Sequence, residues 1–276
     1  MDPREFISVV SRLGAWTVED GTRLADFNED CLREALESRL AARGLESPEQ
    51  WLTAARQDPR EVADLRRACL NPTSAFFRHP WSYCLLEQLI LPEMSSRGPL
   101  RVWSAGCAGG QEAYSLAILL EELEPHRPTL GRTTIIASDV DPGVIARATA
   151  GGYPETQLQG LSLGRFKRWF EPHPDGFAPI PELRARIQFS RHDLLDSQAF
   201  SPPEAVFGGF DLICCSNVLI YYTLNAQARI LANLRRALSD GGVLMVGPTE
   251  VGIVNRCHFF SPRPQGPFFR VSAGVP

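Results

Sequence analysis

One stretch, LRVWSAGCAGGQEAYSLA from Leu100 to Ala117, constrains this chain more than any other. Leu100, Val102 and Trp103 read as a short buried strand. Gly106, Gly109 and Gly110 read as a tight turn, and Gln111 onward as an amphipathic helix with Ala113, Leu116, Ala117 and Leu120 on one face. A strand, a glycine loop and a helix in that order present backbone N–H groups and a helix N-terminus beyond the strand's carboxyl end. Nucleotide, flavin and nucleoside sites share that arrangement.

Two details narrow the ligand. The spacing is Gly-x-x-Gly-Gly, not the Gly-x-Gly-x-x-Gly of dinucleotide binders, and Glu112 stands in the first turn of the helix. A carboxylate there would repel a pyrophosphate competing for the same positive end. A ligand with an amino group and no phosphate suits it better, and S-adenosylmethionine is such a ligand. The alternative for Glu112 is an ordinary acid at a helix N-terminus.

At 276 residues and 44% hydrophobic content, the chain can bury one large core, or one large and one small. It has no apolar run of the roughly 18 residues a membrane span needs, and MDPREF lacks the design of a signal peptide, so a cytoplasmic protein without membrane insertion is expected. The seven cysteines lack Cys-x-x-Cys spacing and read as reduced core residues. With the five histidines scattered, no metal site is expected. A net charge of −4 gives no broad basic face for a nucleic-acid backbone.

Residues 1–72 read as a small helical domain. Phe6, Ile7, Val10 and Leu13 form one stripe, and Leu32, Leu36 and Leu40 a second that Gly44 ends. A third helix is capped by Ser47 with Pro48 at its first position. Arg33, Arg39 and Arg43 alternate with Glu34 and Glu37 and read as a solvated face. A turn at Asn71-Pro72-Thr73-Ser74 marks the boundary, after which Phe76 and Phe77 read as core and Pro80 opens a helix carrying Leu85, Leu86, Leu89 and Ile90. Arg78, between aromatics and a proline, reads as a partly buried guanidinium that pairs with a carboxylate or phosphate, or else as an interdomain salt bridge.

Residues 73–276 read as alternating strands and helices, hence a doubly wound α/β sheet. The second strand, Thr133 to Ala137, ends at Ser138-Asp139, where an acid can bond both ribose hydroxyls; Asp141 instead caps the helix opened by Pro142. Residues 152–186, irregular and proline-rich, read as an insertion holding a helix and a small antiparallel β element. The third strand, with Ile187 and Phe189, leads to His192-Asp193, and Asp193 is either an adenine contact or a loop acid. The fourth, Phe210 to Cys215, runs into Ser216-Asn217 at a carboxyl end where chemistry belongs. A helix with Ile230, Leu231, Leu234 and Leu238, a turn at Asp240-Gly241-Gly242, a fifth strand over Val243 to Val246 and a last strand with Phe268, Phe269 and Val271 complete the chain.

Taken together, SRLAARGLES, TSAFFR, WSAGCAGGQEAYSLA, ASDVD, FDLICCSNVLIYY and GGVLMVGPTE, in that order, resemble the chemotaxis receptor methyltransferase (CheR) family of protein-glutamate O-methyltransferases. The resemblance implies a Rossmann-like class I methyltransferase sheet, S-adenosylmethionine as methyl donor and S-adenosylhomocysteine as product. The acceptor it implies is the cytoplasmic domain of a methyl-accepting chemoreceptor or related signalling protein. It assigns Ser74 and Arg78 to the cofactor, with Arg78 on the methionine carboxylate near the transferred methyl group. Glu112 would hold the methionine end, Asp139 the ribose, and Asp193 and Leu194 the adenine. Ala105, Gly106, Val140, Ser216 and Asn217 would line the cofactor, and Tyr221 would lie beside the sulfonium. The catalytic pair is then Arg78 and Tyr221.

The chain departs from the family's usual pattern at Ser216, where an arginine is usual, at Pro248-Thr249 before Glu250, at Asp193 and at Pro72. Its insertion, WFEPHPDGFAPI, looks shorter than in members that grip a receptor's C-terminal pentapeptide. Two other readings stand beside the leading one: a methyltransferase of a different acceptor, and an S-adenosylmethionine-binding signalling module that has lost turnover.

Overall fold

The computed structural model describes residues 23–70, 73–94, 99–126, 133–205, 208–263 and 266–271. The Phe6 to Leu13 stripe and the Asn71-Pro72 turn lie outside them. Backbone contacts divide the chain into two compact units. One is Met1–Pro72 with Val218–Ile230; the other is Thr73–Asn217 with Leu231–Pro276.

In the first unit α1 (Glu29–Arg43) starts at Asn28, whose side chain accepts the Cys31 N–H at 2.8 Å, and stops at Gly44 in the left-handed region. Ser47 caps α2 (Pro48–Gln57) as its sequence predicts. A further helix, α3 (Arg60–Leu70), went unassigned in the sequence because its apolar positions, Val62, Leu65 and Cys69, are few among charges. It corrects the reading of the arginines. Glu61 of α3 is 3% exposed and takes Arg39 at 2.8 Å, Arg43 at 3.0 Å and the Trp51 indole at 3.2 Å. Arg39 therefore joins the helices around one buried carboxylate; Arg43 reaches the same carboxylate from an exposed position, and Arg33 pairs on the surface with Asp30. Val218–Ile230 belongs here because Asn28 Nδ2 donates to the Ile220 carbonyl at 2.6 Å, Phe27 stacks on Tyr222, and Asp26 takes Arg229 at 3.0 Å.

The second unit is built on a seven-stranded sheet of order β5-β2-β1-β6-β7-β9-β8, made of β1 (Arg101–Ala105), β2 (Thr134–Asp139), β5 (Ile187–Arg191), β6 (Phe210–Cys215), β7 (Leu238–Val246), β8 (Phe260–Pro262) and β9 (Phe268–Val271). All pairs are parallel except those made by β9. Strand order reverses between β1 and β6, so the crevice beyond their carboxyl ends is where an open α/β sheet takes a ligand. The apparent turn at Asp240-Gly241-Gly242 lies within β7, because Phe210 pairs with Leu238 and Leu212 with Val243 across a bulge. The short β8 was not assigned from the sequence.

The helix after β1, α6 (Gln111–Leu123), is buried from Gln111 to Leu120 and not amphipathic as its leucine stripe suggests. The sheet covers one side of it. On the other pack Phe76, Phe77, α4 (Pro80–Leu85) with its continuation through a π-helical turn (Leu86–Ile90) into α5 (Leu91–Met94), and the insertion. Asp141 accepts Gly143 N–H at 2.7 Å and Val144 N–H at 3.4 Å, capping α7 (Pro142–Ala150). The insertion holds α8 (Leu163–Trp169), the antiparallel pair β3 (Phe170–His173) and β4 (Gly176–Pro179), and one short helix, α9 (Pro181–Arg184). The helix after Tyr222 is α10 (Leu224–Ala237), and α11 (Val251–Asn255) precedes β8. Of the cysteines, Cys69, Cys107, Cys214 and Cys215 are buried; Cys31, Cys84 and Cys257 are only partly so, and all are free thiols. No helix among the described residues is long and apolar enough to cross a membrane.

Candidate functional site

The glycine loop at the end of β1 is shaped from three sides. Gly106, in the left-handed region, and Cys107 both donate to the Ser138 carbonyl at the end of β2, at 2.8 and 2.9 Å. Ala108, also left-handed, donates to Asp139 Oδ2 at 3.1 Å, and the Tyr153 hydroxyl donates to the Gly109 carbonyl at 2.7 Å. Gly110 opens α6 at φ 89°, where an added Cβ would meet the Ala148 methyl and Tyr153 hydroxyl at 3.1 Å. Only glycine suits that position.

Under this loop lies Glu112, 9% exposed, its Oε1 accepting the hydroxyl of Ser104 from β1 at 2.7 Å. Burial lifts its pKa to about 7. The Ser104 and Ser216 hydroxyls and the Arg78 charge pull the other way, and the carboxylate of Glu250 adds to the rise. A buried acid poised near neutrality, with no ion pair to a cation among the described residues, is a place for a cationic ligand group.

The boundary segment lies against α6. Phe77 sits at φ 49°, its N–H donating to Ser115 Oγ at 2.9 Å, while that hydroxyl donates to the Gln111 carbonyl at 2.7 Å. From α8, Arg165 covers the Phe77 ring at 4.4 Å and binds Glu122 at 2.7 Å. Arg78 follows, and here the structure corrects the sequence. Its side chain is exposed, reaching only the Thr73 carbonyl at 3.3 Å, and it forms no ion pair among the described residues. The aromatics beside it turn inward and push the guanidinium out. Ser74 is half-buried in the same segment.

Asp139 spends Oδ2 on Ala108 and Oδ1 on the Asp141 N–H at 3.1 Å, and its pKa is raised by burial against those bonds. Ala105 is fully buried, and Val140 half-buried with its carbonyl accepting Arg191 at 3.3 Å. Asp193 bends back to accept the Leu195 N–H at 2.8 Å, and the Leu194 carbonyl accepts Asn233 at 3.0 Å. Asn217, at φ 61°, donates its N–H to Glu250 Oε2 at 2.7 Å and meets His79 Nε2 through Oδ1 at 3.2 Å. All these residues belong to the second unit. Tyr221 belongs to the first, in a 3₁₀ turn (Leu219–Tyr221) whose last carbonyl accepts the Asn28 N–H.

The sequence reading gave no role to Ser104, Ser115, Tyr153, Gly160 or Glu250, although Glu250 closes the GGVLMVGPTE motif. A serine inside the apolar run VWSA was the one available signal, since a buried strand hydroxyl needs a partner. Gly160 matters because a Cβ there would stand 1.8 Å from the Phe76 carbonyl oxygen. Gly160→Ala must therefore displace the segment that carries Arg78, at a cost of about 1–3 kcal/mol. Thermal melts are expected to fall and S-adenosylmethionine affinity to drop with them; wild-type values for both would show the segment tolerates the shift.

The profile described as "CheR methyltransferase, SAM binding domain" matches residues 72–261. The chain belongs to the CheR methyltransferase family. Its S-adenosylmethionine-binding domain thus spans the glycine loop, the Asp139 turn and the Ser216-Asn217 turn. Among CheR-like relatives, the "Chemotaxis protein methyltransferase" of Listeria innocua is 36% identical over 68% of this chain and 71% of its own length. "Chemotaxis protein methyltransferase 2" of Pseudomonas aeruginosa is 31% identical over 89% and 86%. The "Uncharacterized 104.1 kDa protein in hypE 3'region" of Rhodobacter capsulatus is 34% identical over 82% of this chain, which spans only 23% of that larger protein.

Proposed function

We propose that this CheR-family chain transfers the methyl group of S-adenosylmethionine to glutamate side chains in the cytoplasmic domain of a methyl-accepting chemoreceptor or similar signalling protein, giving glutamate methyl esters. The observation that carries the cofactor half is Glu112, a buried carboxylate held near neutrality at the sheet's switch point. The acceptor half is supported by family membership and by relatives bearing the name chemotaxis protein methyltransferase.

The residues present fit the cofactor. Glu112 would take its ammonium, and the exposed guanidinium of Arg78, which forms no ion pair among the described residues, its carboxylate. Asp139 keeps lone pairs for the ribose hydroxyls beyond the two backbone bonds it makes, and Asp193 with Leu194 would meet the adenine. Ser74, Ala105, Gly106, Val140, Ser216 and Asn217 would line it, and the role of Tyr221 rests on the family resemblance. When bound, S-adenosylmethionine supplies an electrophilic methyl group on a sulfonium. An acceptor glutamate, with an ordinary pKa of about 4.3, is already an anion at neutral pH, so no side chain here has to act as general base. The chain's contribution is then to orient the two reactants and exclude water between opposite charges.

Methyl-labelled S-adenosylmethionine incubated with the full chain and a receptor cytoplasmic fragment is expected to label that fragment. Labelling of some other acceptor, or cofactor binding without transfer, would replace this reading by one of its two alternatives.

A further inference from the structure

One fully buried acid among the described residues meets the groups assigned to the cofactor through Asn217. Glu250, 0% exposed, follows β7 in a 3₁₀ turn (Pro248–Glu250), and its Oε2 collects two backbone donors from separate loops: Asn217 N–H at 2.7 Å, after β6, and Gly247 N–H at 2.8 Å, after β7. Asn217 has a left-handed backbone, unusual outside glycine, and its side chain meets His79, itself left-handed at φ 62° and next to Arg78. One carboxylate thereby ties the ends of two neighbouring strands and, through Asn217, the boundary segment.

Resting on the proposed function, we propose that Glu250 is a positioning residue for the cationic end of the cofactor: it locks the Ser216-Asn217 turn and sets a second buried negative charge within reach of Glu112. Two carboxylates in one dry crevice repel, and a ligand cation relieves that repulsion. The groups acting with Glu112 are Arg78 from the boundary segment, Tyr83 from α4, Cys107 from the glycine loop, Cys214 and Cys215 from β6, and Glu250. Burial holds the phenol and the three thiols neutral, leaving Arg78 and Glu250 as the charges that matter.

The test is calorimetric titration of S-adenosylmethionine and S-adenosylhomocysteine into the full chain between pH 6 and pH 8.5, for wild type, Glu250→Gln and Glu250→Ala. Glutamine keeps an oxygen for both N–H groups and loses the charge. It is expected to weaken both ligands several-fold at pH 8.5 and to move the pH below which binding falls off downward by roughly half a unit or more. Alanine leaves two buried N–H groups without an acceptor and is expected to weaken both ligands more than about tenfold at every pH. An unmoved pH profile in Glu250→Gln overturns the proposal, as does wild-type affinity in Glu250→Ala. Should the alanine variant fail to fold, the glutamine profile decides alone. A wild-type chain that binds neither ligand would instead refute the proposed function.

Discussion

Glu112→Gln is expected to make the protein more stable and less able to bind its cofactor. Glu112 has a folded pKa of about 7 against about 4.5 for a free glutamate, so the folded state holds its proton more tightly than the unfolded one. Above pH 7 the folded chain carries the full cost of that buried charge; as pH falls from 7 toward 4.5 the cost disappears. At 1.36 kcal/mol per pH unit it reaches up to about 3 kcal/mol, and glutamine, which can still accept from Ser104, removes it. The melting temperature of Glu112→Gln should exceed wild type by several degrees at pH 8 and converge with it near pH 5. The same variant loses the partner of the ligand's ammonium, about 2–5 kcal/mol, so affinity falls at least about 30-fold. A variant that melts like wild type at pH 8, or binds as tightly, would remove Glu112 from the site.

The second large effect follows from the same group. A ligand cation takes the ionised form of Glu112, so binding must expel its proton wherever it carries one. Between pH 7 and pH 5.5 the dissociation constant of S-adenosylmethionine should rise about tenfold per unit, and S-adenosylhomocysteine should follow. The rate at saturating cofactor should change little over the upper part of that range, because acceptor glutamates stay ionised there. His192 works against the stabilising effect of acid: its imidazole is buried and its pKa is lowered by that burial, so the stability it supports is lost as pH drops below its ordinary value of about 6.5. The comparison of affinities therefore belongs at pH values where melts show the chain intact. A flat affinity from pH 7 to pH 5.5 would mean that Glu112 does not meet a cation.

The sheet was legible because its strands are short apolar runs closed by Ser-Asp, His-Asp and Ser-Asn, and because glycine and proline mark the turns between. Helix α3 was not, since Glu61 and Arg66 look like surface charges until the fold buries them at 3% and 5% exposure. For the same reason Arg39 passed for a solvent-facing residue, its partner lying on another helix. At the site, Glu112 and Asp139 stood out as acids at fixed offsets from strand ends. The contacts that shape the loops around them did not, because Ser115, Tyr153, Gly160 and Glu250 meet partners on other segments. Arg78 was misjudged in burial: flanking aromatics indicated a covered guanidinium, whereas its side chain is exposed, between left-handed turns at Phe77 and His79.

A carboxyl methyl ester is distinguished from other methylated products by its lability to base. After transfer from methyl-labelled S-adenosylmethionine to the receptor fragment, mild alkali should release the label as volatile methanol, as a carboxyl methyl ester does. Label that stays on the protein through alkali would mean methylation at nitrogen or another base-stable site, and would contradict glutamate as the acceptor.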